Sequence, residues 1–209
     1  MQIKEMMYLN KPEYVKLDNG KLLKINTDFR VAIECDTIAR NKNIGNFERA
    51  LAIVYKLFGE DGLDYHNQNK LVELSMKYIT LGKQQKGVKN EPRNEYQLDF
   101  NKCRGLISSS FKFDYKYDPY ELEYLHWYDF YNDLENLSTS EFGNCCILNR
   151  IVSLLNYDVS KVKDSKEKQK LIDAKKELKK KYCMEEEKEI TDKQKESAKE
   201  FYKAIGIDI

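Results

Sequence analysis

The chain has 209 residues, with 36 Lys and Arg against 35 Asp and Glu and a formal net charge of +1. That balance excludes a global field that would steer it to nucleic acid or to an anionic membrane. An aromatic content of 12% favours a folded core over disorder, and 9 Gly with 3 Pro are too few turn formers for a β-sandwich or a barrel.

Met1-Gln2-Ile3-Lys4-Glu5 has no apolar h-region, and no window approaches ~18 uncharged apolar residues, so neither a signal peptide nor a membrane span is expected. The five cysteines, Cys35, Cys103, Cys145, Cys146 and Cys183, are odd in number and irregular in spacing, which suits reduced thiols in a cytosol. The adjacent Cys145 and Cys146 read as a helix start with one thiol buried, because no Cys-x-x-Cys spacing activates them.

In chain order, residues 13–25 read as a β-hairpin, Tyr14-Val15-Lys16-Leu17 and Leu22-Leu23-Lys24-Ile25 around Asp18-Asn19-Gly20. A lone hairpin is marginal in water and is expected to lie on helices. A first helix, capped by Asn26, Thr27 or Asp28, runs to about Arg40. A second carries Phe47, Ala50, Leu51, Val54 and Phe58 on an apolar face and ends at Gly59 and Gly62. A third carries Leu71, Leu74, Tyr78 and Leu81 and stops at Gly82. Residues 83–95 form a polar loop whose lysines and Arg93 have no aromatic among them to stack a base.

A fourth helix is expected over 96–111 and a fifth from Asp118-Pro119, with Glu121 completing a capping box. Tyr124, Trp127, Tyr128, Tyr131 and Leu134 then fall on one stripe, with Leu122 and Leu125 beside it, so this helix is expected to be the buried centre. Ser138-Thr139-Ser140-Glu141 caps a sixth, which buries Ile147, Leu148, Ile151, Leu154 and Leu155. From Lys161 onward Lys and Glu dominate, and Leu171, Ala174, Leu178 and Tyr182 form a narrow seam. A last short helix starts at Thr191 and carries Ala198, Phe201, Tyr202 and Ile205. The expected architecture is mainly α, a helical bundle with a short N-terminal β-hairpin and an extended, charged C-terminal helical tail. Residues 1–160 form the body and 161–209 the tail.

Chemistry is not called for. The two histidines, His66 and His126, are scattered, and no zinc spacing, serine elbow, P-loop, dinucleotide fingerprint or calcium loop occurs. His126 on an aromatic helix reads as a buried hydrogen-bonding residue. Lys175, Lys176, Lys179, Lys180 and Lys181 surround Glu177 and precede Glu185-Glu186-Glu187, a mixed pattern that keeps a helix soluble rather than one that grips phosphates. No catalytic, cofactor or metal residue is expected, and no cofactor. The residues left as candidates for holding another protein, or a second copy, are Leu171, Leu178, Tyr182, Phe201 and Ile205.

Several blocks in order reach further. They are Ile25-Asn26-Thr27-Asp28-Phe29-Arg30, then Leu81-Gly82-Lys83, then Tyr96-Gln97-Leu98-Asp99-Phe100. Tyr124-Leu125-His126-Trp127-Tyr128-Asp129-Phe130 and Tyr157-Asp158-Val159-Ser160-Lys161-Val162-Lys163-Asp164 follow. Together, over roughly residues 13–184, they resemble the bacteriophage gene-product-fifteen family of long-tailed phages and prophages of Gram-positive bacteria. Leu81 stands where that family more often has Cys, and Tyr128 where it favours a second Trp; both swaps keep bulk and polarity. The resemblance implies a non-enzymatic tail-assembly chaperone in the host bacterial cytoplasm that coats the tape-measure protein and recruits tail-tube protein. A minor structural or connector protein of the virion, or a host-directed phage protein, is the alternative.

Overall fold

The computed structural model describes residues 11–41, 43–82, 98–138 and 145–183. They fall into two compact units, one holding the residues up to 82 and Phe100–Tyr157, the other holding 98–99 and 158–183.

The first unit opens with strands β1 (Tyr14–Lys16) and β2 (Leu22–Lys24), paired antiparallel with Val15 opposite Leu23. Leu17 N–H donates to Lys21 O and Gly20 N–H to Leu17 O, both 2.9 Å, which closes a turn over Asp18, Asn19 and Gly20. Gly20 takes φ +82°, a conformation in which a Cβ is strained, so glycine at this position sets the register. Leu17, Leu23 and Ile25 are buried, and Asn26 N–H donates to Leu57 O at 2.7 Å, so the hairpin rests on helices as expected.

Helix α1 (Phe29–Arg40) starts at Asp28, whose carboxylate accepts from Arg30 N–H. Helix α2 (Asn46–Phe58) runs back antiparallel to it, tied by Lys56 to Glu34 at 2.6 Å and by the Arg49 guanidinium to Ala39 O at 3.2 Å. Gly59, at φ +66°, ends α2, but Gly62 does not: it lies inside a short helix α3 (Glu60–Leu63). A Cβ on Gly62 would fall 2.6 Å from Phe58 Cβ, so this glycine serves close packing, not termination. Phe47 departs from the expected buried face and is 69% exposed, while Ile53, Val54, Leu57 and Phe58 point inward. Helix α4 (Gln68–Ile79), capped by Asn67, buries Leu71 and Tyr78 and stops before Leu81 and Gly82, both at positive φ.

Two expected helices are corrected. The fourth begins at Arg104, not near 96, and forms α5 (Arg104–Tyr115), ended by Lys116 at φ +64°. Leu98 instead pairs with Cys183 in an isolated bridge, which holds the backbone there extended. The fifth is not a helix from Asp118. Asp118 accepts from Tyr120 N–H at 3.0 Å, and its carboxylate is held by the Ser108 hydroxyl and, at 3.0 Å, by Lys112. Glu121 reaches Lys112, not a cap position. The carbonyls that a helix would turn inward are taken by α1. Phe29 N–H binds Leu125 O at 3.0 Å, and the Arg30 guanidinium binds Leu122 O at 2.6 Å and Glu123 O at 3.2 Å. Tertiary partners thus outcompete a helical ladder despite a good cap and Pro119. Helix α6 (Trp127–Glu135) starts only after His126, and Tyr124 lies outside it, 54% exposed.

The core of this unit is aromatic and centred on Phe130, which is fully buried. Its ring stacks on Phe29 at 4.3 Å, on Phe111 at 5.5 Å and on Trp127 at 5.9 Å. Trp127 is 3% exposed and its indole N–H donates to Ile79 O at 3.1 Å, satisfying the one polar atom it buries. Helix α7 (Ile147–Asn156) packs on α5 and starts at Cys146, which is buried while Cys145 is half-buried. Leu148 and Leu155 are buried, but Ile147 is exposed, contrary to expectation. The expected cap residues from Thr139 to Glu141 lie outside the described residues. Ser138 acts from a distance: its hydroxyl accepts Cys146 N–H at 3.1 Å and donates to Asp114 at 2.8 Å. The polar loop over 83–95 and the last helix from Thr191 also lie outside the described residues.

Two substitutions test this core. Phe130→Ala and Trp127→Ala are each expected to cost about 3–5 kcal/mol in chemical denaturation. Ser138→Ala, which strips Cys146 N–H of its acceptor and leaves Asp114 only the residue-138 backbone N–H, is expected to cost about 1–3 kcal/mol.

Candidate partner-binding surface

His126, Cys35 and Asp118 are engaged in structure. His126 Nδ1 accepts Tyr128 N–H at 3.1 Å, which occupies the lone pair a general base would use. Burial, with the Glu34 charge beside it, pushes the Cys35 thiol up to about 12, far above the range of a reactive thiolate. Burial acts against ionisation of Asp118, yet the hydrogen bonds from Ser108, Tyr120 N–H and Lys112 outweigh it and hold that carboxyl below its ordinary value. Among the described residues, no three His, Cys, Asp or Glu gather as a metal ion would require. No described helix is long and apolar enough to cross a membrane.

The seam expected in the tail is built by the second unit. Asp158 accepts Ser160 N–H at 2.9 Å and starts a 3₁₀ turn at Val159–Lys161. Helix α8 (Ser165–Tyr182) packs on that turn, and Asp164 accepts from Lys166 and Glu167 N–H, both 2.8 Å, to cap it. Leu171, Leu178 and Tyr182 lie on one stripe with Lys168 and Lys175, spaced by fours and threes, and all are half-buried. Not one residue of α8 is fully buried, Ala174 is exposed, and Ile172 beside the stripe is 38% exposed. Phe201 and Ile205 lie outside the described residues. The end of α8 is held in a way the sequence did not suggest: Asp99 N–H donates to Tyr182 O at 3.0 Å and Cys183 is buried.

The first unit carries a second apolar surface. On α2, Phe47 and Tyr55 are exposed and Leu51 between them is half-buried, at spacings of four, with exposed Ile44 just before the helix. The signal was present in the sequence. Apolar residues at 47, 50, 51, 53, 54, 55, 57 and 58 cover more than one face, which is more than a single packing partner can bury.

A family model described as Bacteriophage Gp15 protein matches residues 13–184. No curated protein and no solved structure matches the chain.

If the outer face of α2 is surface rather than core, Phe47→Ser is expected to change stability by no more than about 0.5 kcal/mol. Leu57→Ala, one helix face away, is expected to cost about 2–5 kcal/mol. Urea midpoints of the two variants check the contrast.

Proposed function

We infer, since this chain belongs to the bacteriophage Gp15 protein family, that it serves virion morphogenesis as a non-enzymatic tail-assembly chaperone in the host bacterial cytoplasm. The observation that carries the reading is the family match, which runs from the hairpin through the end of α8. Fold alone does not license a function. The surfaces are consistent with the role. A tape-measure chain presents long amphipathic helices that aggregate when bare, and a helical protein with apolar stripes and a charged exterior can cover them. Two such stripes exist here, Phe47, Leu51 and Tyr55 on α2, and Leu171, Leu178 and Tyr182 on α8. The lysines around the α8 seam keep that helix soluble when no partner is bound. Recruitment of tail-tube protein, and self-association through Phe201 and Ile205, belong to the same proposal.

The test is co-expression with the tape-measure protein of the same phage. Wild type is expected to keep that protein soluble, and Leu178→Ser with Phe201→Ser to lose this activity while the urea midpoint of the first unit changes by less than about 0.5 kcal/mol in free energy. Mass spectrometry of purified particles is expected to find the chain absent. Its stoichiometric presence would identify a minor structural or connector protein instead.

A further inference from the structure

The N-termini of α1 and α6 meet head to head. Asp28 and His126 pair as an isolated antiparallel bridge. Each helix gives its first N–H to the strand entering the other: Phe29 N–H to Leu125 O at 3.0 Å, and Trp127 N–H to Thr27 O at 2.8 Å. Each cap side chain then takes the second N–H of its own helix, Asp28 from Arg30 and His126 from Tyr128. The two positive helix ends therefore share one place, where a carboxylate is favoured and a cation is not. His126 is 5% exposed, and its buried Nε2 has no partner at full hydrogen-bond geometry, with the Pro12 backbone the acceptor it faces. With Nδ1 accepting, the ring proton of the neutral imidazole sits on Nε2.

We propose that His126 is a proton-operated latch, and that protonation at Nδ1 releases the start of α6 and opens the bridge between α1 and α6. A protonated Nδ1 turns a donor toward the Tyr128 N–H donor, so the cap becomes a repulsion. It also places a positive charge where two helix dipoles already point. The charged groups facing the ring are mixed. Asp129 on α6, Glu13 before β1 and the Pro12 backbone favour the proton; Lys11, which binds Asp129 at 2.7 Å, opposes it, while Asp28 and Arg30 at the start of α1 are engaged with each other. Burial outweighs the two carboxylates and the Pro12 backbone and holds the imidazole below its ordinary value. The unfolded chain therefore takes the proton first. Stability is full above the ordinary histidine value of about 6.5 and is lost as pH falls through it toward the lower folded value.

The experiment uses the full chain between about pH 7.5 and about pH 5.5, above the range where most carboxylates titrate. The wild-type urea midpoint is expected to fall across this range. Amide exchange at Phe29, Trp127 and Tyr128, corrected for intrinsic rate, is expected to speed up while amides within α5 stay protected. In His126→Asn, which keeps a capping acceptor that does not titrate, the midpoint is expected to stay level. A variant slope equal to wild type, or an unchanged Tyr128 amide in the wild type at the acid end, overturns the proposal. Should the variant fail to fold, the wild-type exchange measurement decides alone.

Discussion

The first unit depends on how it satisfies two helix starts. The opening N–H groups of a helix have no partner within it, and burying them bare is expensive. Here α1 and α6 solve the problem jointly, through Phe29 to Leu125, Trp127 to Thr27, and the caps Asp28 and His126. These bonds join segments about a hundred residues apart in the chain and bring Phe29 and Phe130 to adjacent positions, one at or near the start of each helix. The 4.3 Å stack between those rings follows from that placement, and Phe111, Trp127 and Tyr120 assemble around it. The backbone junction fixes the geometry, while the apolar burial supplies the free energy.

This junction also explains which parts of the fold the sequence discloses. Local signals suffice for the hairpin, where Asn19-Gly20 fixes the turn, and for α1, α2 and α4, where a cap or a glycine marks an end. They fail between Asp118 and His126. The cap at Asp118 and Pro119 after it are genuine local preferences for helix, but Arg30 takes the carbonyls of Leu122 and Glu123. Nothing at position 30 announces that role. His126 as a cap is similarly opaque, since histidine is an uncommon choice there and its ring reads as core from the pattern alone. The late start of α5 has the same origin, a bridge from Leu98 to a residue far along the chain.

The candidate surfaces were legible to different degrees. The spacing of Leu171, Leu178 and Tyr182 is a local property, and the structure keeps all three on one stripe of α8. The spacing places Phe47 inside, because an apolar residue at helical spacing is more often inside, yet it lies on the exposed face of α2. Phe47 carries the same sequence signal as Val54, and only the position of α1 and α4 decides that one is 69% exposed and the other is not exposed at all. Pattern reveals that a helix has too much apolar surface; packing reveals which part is left over.

The two units differ in what their own contacts can sustain. The first closes over an aromatic centre with its indole and its caps satisfied. In the second, an 18-residue helix has no fully buried side chain, and its apolar positions are interrupted by Lys168 and Lys175. Most helical stability in proteins comes from packing an apolar face rather than from propensity. Lysine at a seam position lowers the stability of self-pairing and, through charge repulsion, disfavours a parallel homodimer. Pairing of α8 with its own copy is therefore disfavoured relative to a helix without lysine at the matching positions.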